Sequence, residues 1–169
     1  MQYLSEPNAC APMPTGTLSL PEVTTIGEAS FRQCGLNEIY LPKLTQTGKN
    51  AFIDSPNLAK VTVGGLGATL PNGQFKNVNA NGGNEFDLYW IGADLPTSFC
   101  DSWLRPDGSS KRARLHCRGA ALQAWLDLLT SKYTSPSYTL RLAADFTNTK
   151  YKDDEKADYP GEKAKAIVI

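Results

Sequence analysis

The sequence predicts an α/β-type, right-handed solenoid with a parallel sheet, closed by a C-terminal capping helix. Three observations carry that prediction: a block of residues that repeats, a phenylalanine that recurs after each strand end, and one amphipathic helix after the last strand. Leu20-Pro21, Gly27, Phe31 and Cys34 are followed 21 residues later by Leu41-Pro42, Gly48, Phe52 and Ser55, and Leu36 is matched by Leu58 after 22. A self-similar period in the low twenties marks a solenoid whose units each supply one short strand and a turn, and none of which can bury its apolar side alone.

The phenylalanines extend the pattern. Leu20 to Phe31, Leu41 to Phe52, Val63 to Phe75 and Leu88 to Phe99 span 11, 11, 12 and 11 residues. Strand ends fall at Leu20, Leu41, Val63, Leu88 and Cys117, so the coil loosens by insertion while its core positions stay in phase. This is the arithmetic of a short leucine-rich repeat array with four units and a closing strand. Three segments follow: an irregular, Pro-rich lead-in over 1–16, a repeat domain over 17–142 that includes a capping helix at 119–132, and a charged loop with a terminal strand over 143–169.

The first two units resemble the BspA-like leucine-rich repeats of bacterial surface proteins, which read as apolar-Pro, Ile-Gly, Ala-Phe and Cys-x-x-Leu. The matching residues are Leu20-Pro21, Ile26-Gly27, Ala29 with Phe31, Cys34 and Leu36, then Leu41-Pro42, Gly48, Ala51-Phe52 and Leu58. Leu115-His116-Cys117-Arg118-Gly119 leading into Trp125 also looks like the strand and helix that close many such arrays, without their Val-Pro at the strand end. The resemblance implies a non-catalytic recognition or adhesion module, with an extracellular or cell-surface location.

Alternation with a period of two divides each strand into two faces. Inward lie Leu18 and Leu20, Ile39 and Leu41, Val61 and Val63, Phe86 and Leu88, Leu115 and Cys117. One outward column reads Thr17, Glu38, Lys60, Glu85 and Arg114, whose last four members alternate in sign, as neighbouring strands ~4.8 Å apart favour. The other reads Ser19, Tyr40, Thr62, Asp87 and His116, with Tyr89 and Arg118 beyond. Solenoids bind across such faces, and Tyr, Arg and His join apolar area to a polar tip. Tyr40, Thr62, Asp87, Tyr89, His116 and Arg118 are therefore the expected binding residues, for a protein or glycan partner. As ordinary strand residues they would simply be solvated.

Composition excludes other classes. The 169 residues are 41% hydrophobic, enough for one sizeable core, and 17 basic residues balance 17 acidic ones. No overall field draws in nucleic acid or an anionic membrane, and the basic spot at Lys111, Arg112, Arg114 and Arg118 is small. No apolar run approaches the ~18 residues of a membrane span, and Met1 to Glu6 read as no signal peptide. Cys10, Cys34, Cys100 and Cys117 lack metal-ligand spacing; they read as buried thiols, with a Cys100–Cys117 bridge as a minor alternative. Gly64-Gly65-Leu66-Gly67 lacks the Gly-Lys-Ser/Thr of a phosphate loop and reads as a wide turn, and Asn77 to Asn84 as a flexible loop tip. No cofactor, metal or catalytic residue is expected, because the only histidine, His116, faces outward while Cys117 faces inward.

Gly119 to Lys132 is the convincing helix: Leu122, Trp125, Leu126 and Leu129 form one apolar stripe, suited to covering the open end of the last coil. Tyr138 to Leu142 alternates like a half-buried strand, Lys150 to Lys165 reads as a solvated charged loop, and Ala166 to Ile169 is an apolar strand in need of a partner. If that end and the Pro-rich start are contact arms, the chain is instead a structural subunit of a homo-oligomer or larger assembly, such as a phage particle or appendage.

Overall fold

The apolar-Pro step at Leu20-Pro21 and Leu41-Pro42 marks a corner, where a strand of one sheet gives way to a turn and then to a strand of another. The computed structural model describes residues 2–4, 15–70, 73–80, 85–99, 103–104, 112–132, 139–146 and 166–168. Its first strands are β1 (Gln2–Leu4), β2 (Gly16–Ser19), β3 (Val23–Ile26), β4 (Leu36–Leu41), β5 (Gln46–Thr47) and β6 (Lys60–Val63). They are followed by β7 (Thr69–Leu70), β8 (Glu85–Trp90), β9 (Ser98–Phe99) and β10 (Arg112–Arg118). A 3-10 turn at Gly119–Ala121 leads into helix α1 (Leu122–Lys132), then β11 (Thr139–Phe146) and β12 (Ala166–Val168).

Among the described residues, seven strands form one sheet in the order β12-β11-β10-β8-β6-β4-β2. All its pairs are parallel except β11 with β12. The chain thus returns to the same face once per coil, as the repeat demands, and sequential strands are neighbours. On the opposite side lie two small parallel ladders, β1-β3-β5 and β7-β9. Residues 166–168 find the partner their apolar character requires, with Ile167 opposite Leu142.

The core follows the inward alternation. Ile39, Leu41, Val61, Val63, Phe86, Leu88, Leu115 and Cys117 are buried, and Leu18 and Leu20, on the edge strand, are partly so. Phe31, Phe52 and Phe75 stack with centroids 5.6 and 4.9 Å apart and planes within 8°. Opposite the sheet, backbone bonds link coil to coil at a constant offset: the Ala29, Phe31 and Gln33 N–H groups donate to Lys49, Ala51 and Ile53 carbonyls at 2.7–3.0 Å. Ser55 takes the place of Cys34 one coil on; its hydroxyl donates to Phe31 O at 2.6 Å and accepts from Cys34 N at 3.1 Å. Gly48 is required by close approach, because a Cβ there would lie 2.2 Å from Glu28 N.

Positive φ recurs with the coil. Ala29, Asn50 and Gly73 take φ of 55°, 54° and 76°, and Gln33, Asp54 and Asn77 take 55°, 58° and 57°. Asn, Asp and Gly tolerate this region best, so the coil geometry overrides local preference at Ala29 and Gln33. Asn77 and Asn79 are accordingly turn residues of the third coil, with Val78 buried beside them, rather than part of a flexible loop tip.

Two expectations are corrected in the third and fourth coils. Val63 stands opposite Trp90, not Leu88, and Lys60 opposite Asp87, not Glu85. The strand before the fourth corner runs two residues further than its alternation indicates. A slip of two keeps every side chain on its own face, so the period of two cannot detect it. Phe99 is not the fourth ring of the phenylalanine stack either. It pairs with Leu70 in the β7-β9 ladder, while the bond from Phe75 N to Trp103 O brings Trp103-Leu104 alongside Phe75. Cys10, Cys100, Asn81 to Asn84, Pro106 to Lys111 and Lys150 to Lys165 lie outside the described residues.

Candidate binding face

The corrected register rearranges both outward columns of the large sheet. The first is Thr17, Glu38, Lys60, Asp87 and Arg114, and the second is Ser19, Tyr40, Thr62, Tyr89 and His116. Asp87 moves from the second column into the first, where it replaces Glu85. The alternation of sign survives because both residues are acidic. Lys60 Nζ lies 3.2 Å from Glu38 Oε1, and Arg114 Nη1 lies 3.7 Å from Asp87 Oδ1. These side chains are roughly a quarter to a third exposed, so solvent screens each pair to ~0–1 kcal/mol.

The second column is not the solvated row expected of it. Tyr40, Thr62 and His116 are 2%, 1% and 3% exposed, while Ser19 is exposed and Tyr89 is intermediate. Sheet packing brings His116 onto its neighbour: its ring stacks on Tyr89 with centroids 3.9 Å apart and planes 6° from parallel. Lys60 Nζ stands 5.2 Å from the centre of the Tyr89 ring, within cation–π reach. His116 Nε2 also meets Asp87 Oδ1 at 2.6 Å. With Nε2 carrying its proton the imidazole donates to the carboxylate, and a protonated imidazole makes the contact an ion pair.

Lys60, Asp87, Tyr89, Arg114 and His116 thus form one connected cluster over three strands, in which Arg114 and His116 share the Asp87 carboxylate while His116 and Lys60 meet the Tyr89 ring. Of the six residues expected to bind, the structure brings together Asp87, Tyr89 and His116. Tyr40 and Thr62 continue the His116 column toward β2, and Arg118 lies at the end of β10, half-buried, with its Nε shielded from solvent. Alternation did not single out Lys60 and Arg114, which it assigned to the ladder; the sign alternation of that column was the available signal. Cys117, opposite Trp90, is in the core and faces away from His116. Among the described residues no group of three or more His, Cys, Asp or Glu side chains is placed to hold a metal ion.

The parallel sheet, the constant coil offset and the stacked phenylalanines are the features of a leucine-rich repeat array, and residues 8–83 match the family model of the BspA type Leucine rich repeat region in 6 copies. Comparison of the chain with curated proteins and with solved structures gave no significant match. A BspA-type region points to a protein-binding or adhesion-type module and is typically non-enzymatic. No helix among the described residues is long and apolar enough to cross a membrane. The candidate face extends past the BspA-type region, since Asp87, Tyr89, Arg114, His116 and Arg118 follow residue 83.

Proposed function

We propose that the chain is a non-catalytic recognition module that binds a protein or glycan partner through the outward face of the large sheet. The observation that carries this reading is the Lys60-Asp87-Tyr89-Arg114-His116 cluster. It is a partly exposed group of charged and aromatic side chains held rigid by the β6-β8-β10 ladder. Asp87, Tyr89 and Arg118 make the direct contacts; Tyr40, Thr62 and His116, buried in the same column as Tyr89, set the position of their neighbours. Arg and Tyr are the residue types that carry most binding energy at protein interfaces.

The same reading gives the C-terminal elements a structural task. Trp125 and Leu129 of α1 are buried, and the Trp125 ring meets Trp90 edge to face at 5.1 Å. The helix closes the apolar end of the coil, as solenoids require. The alternative, a structural subunit of a larger assembly, draws its main support from an unpaired apolar end. The pairing of Ala166–Val168 with β11 removes that motive.

A screen of the intact chain against arrayed glycans and purified surface and matrix proteins tests the assignment, followed by Tyr89→Ala with Arg118→Ala. A partner bound at least tenfold more weakly by the double variant, with an unchanged melting temperature, supports the sheet face. Binding that survives both changes moves the site elsewhere.

A further inference from the structure

The corner that follows each long strand lengthens along the array. Leu20 to Ile26 and Leu41 to Thr47 cross it in six residues, Val63 to Leu70 in seven and Trp90 to Phe99 in nine. The added residues separate β7 from β5, so the side opposite the large sheet is two ladders instead of one. Side chains bridge the gap: Thr47 Oγ1 donates to Leu66 O at 3.2 Å and accepts from Gln74 Nε2 at 2.9 Å. Beside that break the structure opens a cavity of ≈ 480 Å³, to which Thr45, Gln46, Gly65, Trp90, Asp94 and Leu95 contribute. This volume lies within the ~300–1,000 Å³ of small-molecule sites.

Its walls are fixed. A Cβ on Gly92 would lie 1.9 Å from Gly64 O, so the third and fourth coils touch backbone to backbone here. Trp90 belongs to the core and is 1% exposed, so its ring backs the cavity wall directly behind Gly65; a Cβ at Gly65 would stand 3.5 Å from Trp90 Cζ2. The indole is held in place by its Nε1–H, which donates to Asp94 O at 3.0 Å. At the rim Thr45, Gln46 and Asp94 are exposed to solvent and carry a hydroxyl, an amide and a carboxylate.

The lining selects a class of ligand. Among the described residues it contains no Lys, Arg or His, and its one charged side chain is Asp94, so these residues offer no counter-charge for a phosphate, sulfate or carboxylate. It joins an apolar floor, made by Leu95 and Ala68 with the buried Pro42 and Trp90 behind them, to neutral and acidic groups that accept or donate hydrogen bonds at the rim. A neutral sugar ring has the matching chemistry: an apolar C–H face for the floor and a girdle of hydroxyls for the rim. We infer that this corner cavity is a binding subsite for one neutral hexose-type ring. The site is separate from the large-sheet face and does not depend on what that face binds.

The test is titration of the ¹⁵N-labelled chain with glucose, galactose and N-acetylglucosamine, each as the free sugar and as its methyl glycoside. The amides of Gly65, Gly67 and Gly92 and the Trp90 indole N–H are followed. Saturable shifts confined to these signals by at least one sugar, with a dissociation constant of ~0.1–10 mM, are expected. Methyl glycosides that bind as well as free sugars identify the terminus of a larger glycan as the ligand, and binding of free sugars alone identifies a solute. Glucuronic acid, placed beside the Asp94 carboxylate, should bind at least several-fold more weakly than glucose.

Gly65→Ala adds a methyl at the cavity wall, at ordinary contact distance from the Trp90 indole, and should abolish the shifts while the chain stays folded. The exposed Gln46→Ala with Asp94→Ala pair leaves the core untouched and should weaken binding about tenfold, so the proposal remains testable if the glycine variant unfolds. No shift at any of these signals, shifts that persist unchanged in Gly65→Ala or in the rim pair, or preferential binding of tetramethylammonium over every sugar would overturn it.

Discussion

His116 sits diagonally from Asp87 on the neighbouring strand, not opposite it, and the two side chains still meet at 2.6 Å. Arg114 is the residue directly opposite Asp87, at the longer distance of 3.7 Å. One carboxylate therefore ties together two positions of β10. Asp87→Ala leaves the imidazole of His116, 3% exposed, without this acceptor, and should cost about 1–3 kcal/mol of stability in urea unfolding. An unchanged midpoint would show that the contact does not persist in solution.

The register of β8 can be tested through Lys60. In the observed pairing Lys60→Glu places three acidic residues, Glu38, the new Glu and Asp87, in one row. A loss of ~1 kcal/mol at low ionic strength, shrinking as salt is added, is expected. A double-mutant cycle separates the two registers: coupling of Lys60 with Asp87 and none with Glu85 matches the structure, and the reverse restores the shorter strand.

Phe52 is the middle ring of the stack and is fully buried. Phe52→Ala should cost about 3–5 kcal/mol, the range for deleting a buried aromatic. A loss below ~1 kcal/mol in calorimetry would remove it from the core.

Gln33 is exposed and has φ of 55°, where Asp54 and Asn77 stand in the next two coils. An L residue with a long side chain is held there at a cost that glycine avoids. Gln33→Gly should stabilise the chain by about 0.5–1 kcal/mol despite the added freedom of the unfolded state, raising the melting temperature. A fall would mean that the glutamine side chain makes a contribution larger than the backbone cost.

Truncation after Gly119 removes α1, β11 and β12 together. If these elements close the array, the apolar end of the last coil is left open to water, and the shortened chain should aggregate or lose cooperative unfolding. A soluble truncation that melts cooperatively would reassign the C-terminal segment to another task.

The sequence by itself determined what depends on periodicity. The 21-residue repeat specified the solenoid, the inward alternation specified the core, and the i, i+3, i+4 stripe from Leu122 to Leu129 specified the helix. Each reflects a local geometry imposed again and again, so every coil is further support for the same reading. Tertiary structure decided what depends on how far one coil slides past the next. Glu85 and Asp87, or Phe86 and Leu88, satisfy the same face with the same chemistry, and only packing across the sheet chooses between them. The burial of Tyr40, Thr62 and His116 was likewise illegible, because alternation assigns a face but not what the surrounding chain does to its exposure. The cavity at Trp90 lies furthest from the sequence. It exists because two corners gained residues while the sheet behind them kept its spacing, and that mismatch appears only when the coils are stacked.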